Sequence, residues 1–464
     1  MSGGGHGGGG LPFFDIVDGF FGAAHDQGIA VSAKPFILAG VFAVIAFLFV
    51  SPQQTWYNFQ AVIFLSPIWL PIVLVRFSVF RFIEANRLAW LANQEYVLLE
   101  LLMPRDIRKS PLAMETVFTN LHISPGESTW YKRLILGAVR PWFSAEIVSL
   151  GGRVHFYIWT RAGYRRAVES FLYAQYPGLE ITEAMDYSLL TDPSHAPNRM
   201  WGCDYVKTKE DPIPIRTYAE FIDPGKPLAK PEETIDPLAQ IIELLGSIGP
   251  KEQFWVQINF RVTKGEKYNG KKNEKGEVYT WKDEAGEIIT RMRDSSVRKT
   301  KRVDPVSGAV TEVEGFPNPS KGLQEGMFAI ERNINKPGFD VGIRALYSAP
   351  EDAFDGSMVT FLIALWKPMS AEGLNGLKIT RWDAIFSDFP WEDKKGSHEA
   401  HINHQLVDAY RRRAYFHEPY KLGWSTMSSE ELATLFHVPS ASVTAPSLSR
   451  IQSSTSEAPA NLPI

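Results

Sequence analysis

Three histidines, His398, His401 and His404, recur at intervals of three in HEAHINH, and His417 follows. On a helix that spacing drifts around the axis, so two of the three imidazoles could share a metal ion through their ring nitrogens. The zinc-protease pattern H-E-x-x-H needs its second histidine one residue later than it stands here. The cluster therefore reads as a solvated helix face and no metal is expected. A metal-dependent membrane enzyme built on His398–His404 is the alternative it leaves open. The nearest approach to a phosphate-cradling loop is Gly265–Lys272 (GEKYNGKK), which ends in Lys272 where the Mg²⁺-binding hydroxyl belongs. There is no G-x-S-x-G elbow, and the single Cys203 has no local nucleophile signature. No catalytic residue and no cofactor is expected, and the chain reads as a non-enzyme.

Charge offers a second chemistry. Lys264–Arg302 holds twelve Lys and Arg against seven Asp and Glu, a local net of +5 in a chain whose overall charge is −4. Its most basic end carries Arg291, Arg293, Arg298, Lys299, Lys301 and Arg302, with Tyr268, Tyr279 and Trp281 upstream. Such a stretch suits contact with a nucleic-acid backbone or anionic lipid headgroups. The plainer reading is a solvated, structure-poor insertion. One cysteine excludes an internal disulfide framework.

The element that must position any of this is Pro35–Val75, which contains no charged side chain. Its length, and the polar break Ser51–Thr55, predict two membrane spans, Ala33–Val50 and Tyr57–Val75, folded as a hairpin. Trp56 and Tyr57 suit the membrane–water boundary, and Arg76, Arg81 and Arg87 would hold the following segment in the cytoplasm. The expectation is a two-span protein of the inner membrane with both termini cytoplasmic. Residues 1–32 read as a Gly-rich tail with an interfacial helix or plain lead-in over Leu11–Ala24, and 76–94 as a juxtamembrane amphipathic helix.

Beyond the hairpin the fold class is α+β. Residues 95–187 alternate as strand, helix, strand, strand, helix, strand, the split βαβ order of ferredoxin-like domains. Tyr96–Met103, Phe143–Leu150, Arg153–Thr160 and Leu179–Ala184 are the strands. Residues 200–390 read as a second α+β domain with a charged insertion at 263–305, so the expectation is tandem ferredoxin-like domains. The pieces VHFYIWTRAGYRRAVESFLYA and VGIRALYSAPEDAFDGSMVTFLIA share a strand, a short turn and a helix, a weak internal repeat. Residues 391–437 read as a helical segment, and 438–464 as a Ser/Pro-rich tail.

Several stretches carry a resemblance: LLELLMPRDIRKSPLAMETVFTNLH, VHFYIWTRAGYRRAVESFLYAQYPGLEI, EQFWVQINFRV, PGFDVGIRALYSAP and SSEELATLFHVPSASVTAPSL. Together they resemble the membrane-anchored region ahead of the motor in conjugation and type IV secretion-like coupling ATPases of the HerA–FtsK superfamily. The likeness covers about Tyr96–Leu448. In that family a P-loop motor follows the segment matching Glu431–Leu448, and this sequence carries none. The resemblance thus implies a non-enzymatic accessory or scaffold subunit of a translocation machine, docking a separate P-loop ATPase. Membrane lipids, DNA through the basic loop, and further copies of the chain are the other partners expected. A membrane-anchored nucleic-acid or lipid binding module is the competing reading.

Overall fold

The computed structural model describes residues 40, 42, 46, 48–104, 109–125, 127, 129–190, 192–195, 197–221, 236–268, 270–303, 310–380, 397–417, 419–421, 423–440, 448 and 450–451. The expected Gly-rich tail and interfacial helix, most of the first expected span, residues 381–396 and the end of the Ser/Pro-rich tail lie outside them. The chain divides into two compact units.

The first unit is dominated by α1 (Pro52–Ala92), which opens with Pro52 at its first turn, where a missing N–H costs nothing. It bends by 56° between Pro52–Ile68 and Leu70–Ala92. Pro67 and Pro71 flank the bend, and their rings and missing N–H groups account for it. The two-span expectation is corrected here. Among the described residues no single helix is long and apolar enough to cross a membrane, although the bent pair together meets that test of length and composition. Among the described residues no N-terminal hairpin is found. The stretch before the bend, Pro52–Ile68, is at the short end of the ~17–25 residues a span uses. The stretch after it runs on through Arg76, Arg81, Glu84 and Arg87 in the same helix. The inner-membrane, two-span placement with both termini cytoplasmic therefore falls. A π-helical turn, Tyr131–Ile135, belongs to this unit. It leads into Gly137, whose φ of +65° and close approach to α1 suit glycine alone: a Cβ there would lie 2.4 Å from the Asn86 backbone.

The second unit begins with β1 (Tyr96–Pro104), α2 (Leu112–Asn120), β2 (Phe143–Leu150) and β3 (Arg153–Arg161). Then follow α3 (Arg165–Gln175), β4 (Glu180–Ala184), α4 (Tyr187–Leu190), β5 (Asn198–Lys207), α5 (Ala239–Gly246) and β6 (Gln253–Val262). The inserted α6 (Trp281–Asp294), β7 (Val297–Val303), β8 (Val310–Pro317) and α7 (Lys321–Ile334) precede β9 (Gly338–Pro350), α8 (Gly356–Ile363) and β10 (Leu377–Thr380). The unit ends with α9 (Ser397–Arg411), β11 (Ser425–Ser428), α10 (Ser429–Leu435) and β12 (Arg450–Ile451).

Nine of these strands form one antiparallel sheet. Its order is β10-β5-β9-β6-β2-β3-β1, with β4 on the other side of β1 and β11 on β9; β12 adds to β1 in parallel. Each half of the sheet runs fourth, first, third, second: β4-β1-β3-β2 and β10-β5-β9-β6. The halves meet where β2 pairs with β6 from Phe143↔Phe260 to Leu150↔Gln253. This overturns the expectation of tandem domains behind a hairpin. Two strands whose outer edges expose N–H and C=O groups satisfy one another and merge the halves into one mixed α/β body.

Alternation puts Leu99, Leu101, Ala145, Ile147, Phe156, Ile158, Val256, Ile258, Ile343 and Ala345 on one face, fully buried in the main core. Val117 and Phe118 of α2, Val168 and Leu172 of α3, Ile241 and Ile242 of α5, Leu362 of α8 and Leu432 of α10 fill the same core. The expected structure-poor insertion is instead folded. Thr280 and Asp283 form a capping box at the start of α6, and Ala285 and Ile288 pack with Ile330 of α7. Where composition predicts a tail, Leu448 is buried and Arg450–Ile451 pairs with β1.

Candidate functional site

The other face of the sheet carries a row of polar residues. Reading across the strands by register, Thr182, Glu100, Tyr157, Glu146, Gln257, Arg344, Asp204 and Thr380 stand side by side. A polar row this long on a covered face needs matched partners, because a buried polar group without a hydrogen bond is costly. The partners come partly from the row itself and partly from α9 and the residues just after it.

Glu146, fully buried, is the centre. Its Oε1 accepts from Ser144 Oγ at 2.8 Å, Arg413 Nε at 2.9 Å and Gln257 Nε2 at 3.2 Å. Its Oε2 accepts from Tyr187 Oη at 2.8 Å and Arg413 Nη2 at 3.2 Å. Arg413 is 1% exposed, sits at φ +48°, and also donates to both oxygens of Asp186. A non-glycine residue in that region is strained, and its four carboxylate contacts hold it there. Gln257 also donates to the Tyr410 carbonyl at 3.0 Å, and the Tyr187 and Tyr410 hydroxyls lie 2.7 Å apart. Burial, reinforced by the Glu146 charge, pushes both phenols well above their usual range, so they stay neutral donors. Burial alone would raise Asp186, but the Arg413 guanidinium and the Ser188 donors outweigh it and hold the carboxyl below its usual range.

Chemically this is a lock. An ionised carboxylate has about four acceptor positions, and five donors crowd those of Glu146, leaving none to take a substrate proton. Arg413, Tyr410 and Tyr187 fasten the end of α9 to the sheet. The outer part of the row behaves alike: Arg344 Nε donates to Asp204 at 2.8 Å, and His155 Nδ1 lies 2.7 Å from Glu100.

A second cluster fixes α10. Ser428 and Glu431 form the capping box at its start. Glu431 Oε1 also lies 2.7 Å from Lys207 Nζ, both side chains being buried. Glu430 contacts Arg332 and Lys336, each at 2.5 Å, and accepts from Thr217 Oγ1. Beside them Pro214, Thr217, Arg332 and Asn333 line a cavity of about 20 Å³, the space of a single water. A third clasp ties the chain after α10 to the start of α5. His437 Nδ1 faces the Ala433 carbonyl at 2.7 Å, and its Nε2 faces Asp236 Oδ1 at 2.9 Å. The ring thus bridges the two segments through both of its nitrogens.

The residues the sequence singles out fall elsewhere. Among the described residues no three His, Cys, Asp or Glu side chains converge on a metal position. His398 lies on α9 with its side chain outside the described set. His401 and His404 are exposed; His401 Nε2 meets Gln405 Nε2, and the His404 ring sits 6.2 Å from His195. Lys272 lies in a turn, its backbone bridged to Val278. Arg291 and Arg293 are on exposed turns of α6, with Arg291 Nη1 3.2 Å from Glu210. Arg298, Lys299, Lys301 and Arg302 lie on β7, their side chains outside the described set. Their ribbon is antiparallel, and its register sets Lys299 across from Glu314 and Lys301 across from Glu312. Extending the count from Arg302 to Pro317 adds Asp304, Glu312 and Glu314, so the net falls from +5 to +2. Trp56, Tyr57, Arg76, Arg81 and Arg87 all lie on α1, and Arg81 pairs with Glu84 at 2.6 Å. Sequence reasoning missed Glu146, Asp186, Gln257 and Arg413; a lone Glu or Gln inside a strand-like run was the available signal.

No protein-family model matches the chain, and no curated protein matches it.

Proposed function

We propose that the chain is a non-enzymatic scaffold subunit that docks a separate P-loop ATPase, as its resemblance to the pre-motor region of coupling ATPases implies. The observation that carries this reading is the surface of α1. Phe64 is 83% exposed, Ile68 67% and Ile72 65%, and apolar neighbours from Trp56 to Phe82 are exposed around the whole helix. Apolar surface of this extent marks an interaction site. The occupant that fits is an apolar helical segment of the partner. The locked sheet supports the reading as a rigid platform: its central ionic groups are engaged with one another. The test is detergent purification of the tagged full chain with mass spectrometry of what is retained. A P-loop ATPase near one-to-one, lost when Phe64 and Ile68 are replaced by Lys, is the expected result. Retention of that ATPase by the Lys variant, or recovery of the chain without one, sinks the proposal.

A further inference from the structure

The loop after α4 and the exposed side of α9 bring together two imidazoles from distant parts of the sequence. His195 and His404 have ring centroids 6.2 Å apart and planes inclined at 68°. His195 does not hang freely. Its Nδ1 lies 3.0 Å from Asp192 Oδ2, while its side chain is 71% exposed. A carboxylate only accepts, so Nδ1 is the donor in this contact and Nε2 is the nitrogen that a metal ion could use. Asp192 is itself fixed: its Oδ1 accepts from Ser194 N at 3.0 Å and Ser194 Oγ at 2.7 Å. A carboxylate holding one ring nitrogen so that the other is basic and oriented is the usual support of a metal-binding histidine.

We propose that His195 and His404 form a two-imidazole site for a divalent transition ion of the zinc class, with Asp192 as the positioning carboxylate. Imidazole nitrogens bind Zn²⁺ at about 2.0–2.1 Å, which sets two ring centroids on one tetrahedral ion roughly 5 Å apart. Rotation of the exposed His404 side chain closes the remaining distance, with His195 kept on Asp192. The other positions on the ion fall to water, since no third ligand converges among the described residues. The ion would bridge α9 to the Asp192–His195 loop, where Arg411 Nη1 already lies 3.6 Å from Asp192 Oδ2. His401 is outside the site.

Calorimetric titration of the full chain with Zn²⁺, in buffer freed of other metals, tests this. The wild-type chain should bind about one ion per chain with imidazole donors. His404→Ala, on an exposed side chain, should lose the binding while keeping its metal-free melting temperature. Asp192→Asn should weaken binding about 10- to 100-fold, and His401→Ala should leave it unchanged. Absence of saturable binding by the wild-type chain, or equal binding by the His195→Ala/His404→Ala double variant, overturns the proposal.

Discussion

Arg413 is the residue on which the covered polar face depends. Replacing it with Met leaves Glu146 and Asp186 without their cation, and breaking a buried pair this way costs about 3–5 kcal/mol. Denaturant unfolding should show that loss, whereas Arg412→Met, one residue away and solvent-facing, should change stability by less than about 0.5 kcal/mol. A loss below 1 kcal/mol for Arg413→Met would mean the pair is not the lock described. Together with the two clusters around α10 it sets an acid limit. Asp186, Asp236 and Glu430 are each raised by burial but lowered on balance, by Arg413, His437 and Lys336 respectively. Folded values below the unfolded ones mean that this stability is present above the usual carboxylate range near pH 4. It is lost as pH falls through the folded values. Melting temperature should therefore drop on acidification below about pH 4, and less steeply in Asp186→Asn.

At the scale of elements, two glycines decide contacts. A Cβ at Gly342 of β9 would lie 2.2 Å from the Tyr415 ring, and Tyr415 follows the Arg413 lock. Gly342→Ala should cost about 1–3 kcal/mol as an overpacked site and raise amide exchange over 410–417. Unchanged exchange there would show that the segment does not bear on the sheet. Gly137→Ala should loosen the turn that meets α1. Much of the element pattern was legible in the sequence: the strands over Tyr96–Met103 and Phe143–Leu150 are found where expected. The polar row was not, because adjacency in it comes from register, which links positions as distant as 146, 257 and 344. The insertion was misread because charge density hid the Thr280 cap and the spaced Ala285 and Ile288. The hairpin was misread because apolar composition over Pro35–Val75 does not reveal the bend at Pro67–Pro71.

At the scale of the molecule, the merger through β2 and β6 predicts that the sheet unfolds as one. Calorimetry should find a single transition for the second unit. Val256→Pro, which removes a donor in the middle of β6, should destabilise both halves together rather than the C-terminal half alone. Two separable transitions would restore the tandem arrangement. The proposed function rests on the exposed apolar surface of α1, so the decisive measurement is the composition of the purified assembly. The tagged chain should return with a P-loop ATPase near one-to-one, and the Phe64→Lys/Ile68→Lys variant should return without it. A chain that purifies alone, with both forms behaving identically, would contradict the scaffold reading.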